Sequence, residues 1–205
     1  MGCLSFVQGR VDDVSFVSAL IDHLQQQINI DSHKVYATGF SRGGILTQAL
    51  ACKLPNKIAG FASVAGSLPV RLKPNCQPKT SVSILMLNGT NDRDVLYEGN
   101  DHTQQGALVS ISDMVNFWRR RSPSQTSHDQ YTSSKESPKF SKDKVKTALY
   151  TGCSGNSEVW QLAVVNGGHF WTGGSSTDKS LNKFNAKLGL NASETIWNFF
   201  ERHSS

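Results

Sequence analysis

A serine held between two glycines, in Gly39-Phe40-Ser41-Arg42-Gly43, is the first place where residue type and spacing suggest chemistry. The pentapeptide fits G-x-S-x-G, a turn between a strand and a helix whose strained backbone lifts the serine hydroxyl into the open at the helix N-terminus. Small residues on both sides leave the turn its room, so Gly39 and Gly43 are both expected to be required. A hydroxyl is a weak nucleophile at neutral pH. It needs an imidazole to remove its proton, and a carboxylate to hold that imidazole's tautomer and orientation. With this motif the chain order is serine, then acid, then histidine. That order narrows the acid to Asp92 or Asp94, in Gly89-Thr90-Asn91-Asp92-Arg93-Asp94, and the base to His169, in Asn166-Gly167-Gly168-His169-Phe170-Trp171. The residues alone leave the two aspartates open. His23, His33, His102, His128 and His203 fall on a helix, before a strand, in loops or in the tail, and none fits as well. The backbone N–H of Arg42 is placed to meet a developing oxyanion. Phe40, Phe170 and Trp171 are candidate walls of an acyl pocket, with Phe40 and Trp171 equally suited to ordinary core.

These groups must be held by strands and helices that the hydrophobic pattern outlines. Val11, Val14, Val17, Leu20, Ile21, Leu24 and Ile28 recur every three to four residues behind Asp12 and Asp13, which predicts an amphipathic helix with an acidic cap. A short strand follows from Lys34 to Thr38, then the glycine-rich turn, then a second helical pattern through Ile45, Leu46, Ala49, Leu50 and Lys53. The apolar runs Ile58 to Val64 and Val82 to Leu87 read as strands buried on both faces of a parallel sheet. A helix is predicted from Ala107 to Arg121, a strand from Glu158 to Val165, and a last helix from Ala192 to Arg202. Alternating strands and helices give a doubly wound, mostly parallel α/β sheet, with binding expected at the carboxyl ends of its strands.

With 205 residues, 38% hydrophobic and 18% charged, the chain is expected to form one domain, 1–205, with a sizeable core. No apolar run approaches the roughly 20 residues of a membrane span. The net charge of +5 resides in residues 119–146, which include a serine-rich segment, Ser122 to Ser141, read as a surface loop insertion. Only Tyr131 and Phe140 there are available to stack on bases and no nucleic-acid motif is present, so neither nucleic acid nor membrane is expected as a partner. Cys3, Cys52, Cys76 and Cys153 are too widely spaced for a zinc ribbon. No metal or cofactor is expected, and the three disulfide connectivities stay open. Met1 to Arg10 lacks the features of a signal peptide.

Several blocks, in order along nearly the whole chain, resemble the secreted esterases of the polyhydroxybutyrate depolymerase and feruloyl esterase group of α/β-hydrolases. They are Val11-Asp12-Asp13-Val14, Gly39 to Gly44, Val64-Ala65-Gly66-Ser67-Leu68-Pro69, Gly89-Thr90-Asn91-Asp92, Tyr97-Glu98-Gly99, Gly152-Cys153, Gly167 to Trp171 and Ile196-Trp197-Asn198-Phe199-Phe200. The resemblance implies Ser41 as nucleophile, Asp92 rather than Asp94 as acid, and His169 as base. It also implies secretion and ester substrates, either hydroxycinnamoyl esters of plant polysaccharide or short hydroxyalkanoate esters. Asn88-Gly89 stands where the group usually has His-Gly, and Thr172 where proline is usual.

Only 40 residues precede Ser41, whereas the resemblance implies several strands before the nucleophile strand. The expectation is an N-terminally truncated α/β-hydrolase fold, short by about 60 to 90 residues at about 30 per strand–helix unit. One oxyanion donor would then be missing, at a typical cost of about 10²- to 10³-fold in turnover. The strand Lys34 to Thr38 would also present an open edge, favouring a homodimer. A competing expectation is a catalytically weak or inactive homologue serving as a binding module; a peptidase on the same three residues is a more remote one.

Overall fold

The computed structural model describes residues 12–100, 106–121, 144–151, 157–175 and 177–203. The Ser122 to Ser141 insertion, Cys3, Cys153 and the Met1 to Arg10 start lie outside these residues. Among the described residues, five strands form one sheet in the order β1 (Tyr36–Phe40), β2 (Gly60–Val64), β3 (Ile84–Gly89), β5 (Val159–Val164) and β4 (Val145–Tyr150). The first four in that order are mutually parallel, and β4 runs antiparallel against β5.

Alternation along the strands divides the core in two, because successive side chains of a strand point to opposite faces. Phe61, Ile84, Met86 and Val159 meet α2 (Arg42–Lys53) and α3 (Ile111–Arg121) on one face, with α1 (Asp13–Gln27) packed outside them. Ala62, Val64, Leu85, Leu87 and Leu162 meet α5 (Ala192–Glu201) and the end of α4 (Lys179–Leu188) on the other. The sheet is thus covered on both sides, as the near-continuous apolar runs of β2, β3 and β5 require. Across α2, Cys52 and Cys76 form a disulfide.

The structure departs from the sequence-based expectation at several elements. The first strand starts at Tyr36, not Lys34, because Asp31 accepts the His33 N–H and winds Ser32–Lys34 into a 3-10 turn. It also runs to Phe40, directly under Ser41. The third helix begins at Ile111 rather than Ala107, since Leu108 is extended and bridges to Pro69 and Asn100. Strand β4 and helix α4 were not anticipated. In β4 the period-two signal of Val145, Thr147 and Leu149 is short and interleaved with lysine. For α4, the Asp178 cap, accepting from the Ser180 and Leu181 N–H groups, and the left-handed Gly189 are start and stop signals that could have found it.

Candidate active site

Ser41 caps α2 with φ 56° and ψ −116°, a backbone conformation rare for a residue with a side chain. Its N–H donates to Val64 O at 2.9 Å, fixing the turn to the end of β2. A methyl group on Gly39 would overlap the Gly43 backbone, so the first glycine is required by close approach. Gly43 is different. A Cβ there would meet nothing within 4 Å, which corrects the expectation that both flanking glycines make room. The second tight position is Gly44, whose Cβ would lie 2.8 Å from Val64 O and 3.0 Å from Ser63 Oγ. Arg42 opens α2 with its side chain exposed, and its N–H is among the first-turn donors that lack an intrahelical acceptor.

Two more residues with side chains hold positive φ, Ala65 at 47° and Asn166 at 58°. Like Ser41, each follows the carboxyl end of a strand, β2 and β5 respectively. Strain of this kind persists where the surroundings over-determine it, and here it collects on one rim of the sheet. No pattern in the sequence marked Ala65 or Asn166.

The loops after β3 and β5 are stitched together along this rim. Thr90 N–H donates to Val164 O at 2.9 Å and Asn91 N–H to Gly167 O at 2.8 Å, while Asn166 N–H donates to Thr90 Oγ1 at 2.9 Å. A Cβ on Gly89 would overlap Gly167, and one on Gly167 would press within 2.6 Å of the Val164 side chain. Gly168 has open space, so only the first of the paired glycines is needed for close passage.

That clamp sets Asp92 and His169 face to face. Asp92 Oδ1 accepts the N–H groups of Asp94 and Val95, each at 2.9 Å, and its Oδ2 lies 2.8 Å from His169 Nδ1. The other ring nitrogen, Nε2, lies 2.8 Å from Ser41 Oγ. An ionised carboxylate only accepts, so the proton of a neutral ring sits on Nδ1 and leaves Nε2 to accept from the serine hydroxyl. The Asp92 side chain is 1% exposed and that of His169 18%, so the pair is shielded on the acid side and open on the serine side. The hydrogen bond that His169 donates to Asp92 raises the His169 pKa above the usual imidazole value; burial opposes the shift, and the charges of Asp92 and Asp94 add to it.

The structure therefore joins Ser41, His169 and Asp92 in one hydrogen-bonded line across 128 positions of sequence. Asp94 is exposed and stays close, since Asp92, Asp94 and His169 each offer an atom within 4.8 Å of the others. This cluster has the spacing to hold a cation, but its bonds are those of an acid–imidazole pair, and a metal on Nδ1 would displace that proton. Phe40 is partly exposed, its ring 4.9 Å from that of His169. Phe170 packs edge-on to Phe184 of α4, and Trp171 packs against the second core and donates from Nε1 to Ser193 Oγ at 3.1 Å. Asn88, at the end of β3, is buried and donates from Nδ2 to Gly66 O at 3.0 Å, tying β3 to the loop after β2.

Residues 8–118 match the Phospholipase/Carboxylesterase family model, and the chain belongs to that family of α/β-hydrolases. It is similar to feruloyl esterase B of Piromyces equi, 26% identical over 161 residues, covering 77% of this chain and 29% of that protein. It is also similar to a bifunctional acetylxylan esterase/xylanase of Neocallimastix patriciarum, 36% identical over 107 residues, covering 52% of this chain and 15% of the relative. Among solved structures, Arabidopsis thaliana SOBER1 aligns at 18% identity with a TM-score of 0.47, covering 94% of this chain and 63% of that one. The chain thus spans under a third of the length of either esterase relative.

Proposed function

We propose that the chain is a serine carboxylic-ester hydrolase working through an acyl-enzyme, with Ser41 as nucleophile, His169 as base and Asp92 as the acid that orients it. Ser41 Oγ attacks the ester carbonyl carbon while its proton passes to His169 Nε2. The imidazolium so formed is stabilised by Asp92, whose hydrogen bond already favours the protonated ring. The tetrahedral oxyanion is met by the Arg42 N–H at the start of α2. Its collapse breaks the bond to the alcohol, which leaves with the proton that His169 returns. Water then attacks the acyl-serine through the same base and restores Ser41. Neither a metal nor a cofactor takes part.

The observation that supports this reading most strongly is the pair of 2.8 Å contacts on either side of one imidazole, to Ser41 Oγ and to Asp92 Oδ2. The two relatives are named for feruloyl and acetylxylan ester hydrolysis, which favours hydroxycinnamoyl or acetyl esters of plant polysaccharide over hydroxyalkanoate esters. Phe40, beside the imidazole, is the wall nearest the reacting atoms; Phe170 and Trp171 extend it. The Cys52–Cys76 disulfide suits secretion into an oxidising compartment. Hydrolysis of p-nitrophenyl acetate and methyl ferulate by the purified chain, with Ser41→Ala as control, tests the reading. Wild-type turnover that vanishes in the variant is expected; equal rates would defeat it and favour a binding module instead.

A further inference from the structure

Away from the Ser41 rim, the loop that carries His169 runs on into a surface pocket of about 380 Å³, open to solvent and within the size range of small-ligand sites. Its chemistry is distinctive. Asn182, Asn185, Asn191 and Ser175 supply the polar groups, Ala186 and Leu190 the apolar ones, and glycines complete the wall, so among the described residues no charged side chain lines it. These residues carry no charge to pair with a phosphate, a carboxylate or a metal ion. Its exposed lining is part polar and part apolar.

The amides are held in place. Asn185 is nine-tenths buried; its Nδ2 donates to Gly174 O at 3.2 Å, and its Oδ1 is a buried acceptor without a hydrogen-bond partner. Asn191 caps α5, its Oδ1 accepting the Glu194 N–H at 3.2 Å, which leaves its NH₂ end as the part that can donate to a ligand. Gly173, at φ 80°, lets the loop press against Asn191, since a Cβ there would lie 2.7 Å from Asn191 Cα. The Trp171 indole borders the same wall, 3.8 Å from where a Gly174 Cβ would stand.

Fixed amide donors and acceptors beside small apolar patches match a ligand whose vicinal hydroxyls both donate and accept while its ring carbons present C–H. We propose that this cavity is a subsite for a neutral sugar residue of a polysaccharide ester, flanking the residue that carries the scissile ester. The inference rests on the esterase reading above and adds a place for the alcohol side of the substrate. The geometry permits it. Gly174 is five residues beyond His169, so the cavity wall lies at most about 17 Å along an extended chain from the imidazole, within a few sugar units of the reacting carbonyl.

The test separates the subsite from the chemistry. The Ser41→Ala chain, labelled with ¹⁵N, is titrated with xylotetraose and, in parallel, with inorganic phosphate. Saturable shifts of the amides of residues 173–175 and 189–191 with the sugar alone are expected, at about millimolar affinity. No shifts with xylotetraose, or equal shifts with phosphate, would overturn the proposal. Ala186 is exposed, so Ala186→Trp obstructs the cavity without disturbing the buried Asn185. It should abolish the shifts. In the active chain it should raise KM for a feruloylated xylo-oligosaccharide about tenfold, and by a larger factor than KM for methyl ferulate. An unaltered KM on the oligosaccharide would contradict the subsite while leaving the esterase standing. Failure of Ser41-dependent hydrolysis with sugar shifts intact would sink the esterase reading alone.

Discussion

The rim where β2, β3 and β5 end and the outer edge formed by β1 and α1 are built from the same chain by different rules. At the rim, three residues with side chains hold positive φ, glycines touch backbone to backbone, and the Asp92 carboxylate is fully enclosed. At the edge, α1 has no buried residue. Phe16, Leu20, Leu24 and Ile28 form an exposed apolar stripe at i, i+4 spacing, and β1 pairs with β2 alone among the described strands. Position in the sheet explains the contrast. Strands paired on both sides can hold loops in strained, exact register, whereas an edge strand fixes one side only. Ser41 belongs to both regions: it leaves the edge strand, but its N–H is held by Val64 of β2.

Breaking the rim should have the largest effects. Ser41→Ala or His169→Ala is expected to lower kcat on p-nitrophenyl acetate by about 10⁴-fold or more, measured as initial rates above the uncatalysed background. Asp92→Asn should lose about 10⁴-fold, because the ring nitrogen facing the serine would then carry the wrong proton. Asp94→Asn should lose less than about tenfold, since it adds only charge near a ring already held by Asp92. A larger loss at Asp94 would reverse the assignment of the acid.

A pH profile sharpens the same contrast. The base works only when neutral, so activity should fall as the pH drops through the His169 pKa, and the upward shift places that acid limb at higher pH than an unperturbed imidazole would. Removing the Asp94 charge should move the limb to lower pH. A limb that does not move would mean that the exposed carboxylate exerts no field on the ring.

Stability changes should follow the same ranking. Gly39→Ala is expected to cost several kcal/mol in denaturant unfolding, by forcing a methyl into the Gly43 backbone, while Gly43→Ala should be neutral or slightly stabilising, by up to about 1 kcal/mol, in open helix. Reduction of Cys52–Cys76 removes a cross-link spanning 24 positions and should cost about 3 kcal/mol. The smallest effect belongs to the edge. Phe16→Ser and Leu20→Ser should change stability by no more than about 0.5 kcal/mol. We propose that β1 joins a second copy through the side that no described strand covers, in which case Thr38→Pro should shift sedimentation from dimer to monomer. A wild-type monomer would refute that association.

What could be read from the sequence followed the same division. Gly39 to Gly44 announced itself because a turn's demands are local, and the buried strands did so because apolar runs need no partner to be recognised. The choice of Asp92 over Asp94 was not legible in the residues themselves. It depends on which carboxylate the Gly89–Val95 turn folds inward, and that is decided by two backbone N–H groups and by contact with a loop 77 positions away. The tight contact at Gly44 and the positive φ at Ala65 and Asn166 were not legible for the same reason, since they are imposed by other strands. β4 and α4 were missed because their signals are short and diluted by lysine and asparagine.

The proposed chemistry requires Ser41 to become covalently acylated. Intact-protein mass spectrometry after rapid mixing with p-nitrophenyl acetate and acid quench, followed by peptide mapping, reads this directly. One acetyl group on the peptide containing Ser41, absent in Ser41→Ala and accumulating in a variant slowed in deacylation, is the expected result. Turnover with no acyl group on Ser41, or acetylation of another residue that tracks the activity, would contradict it.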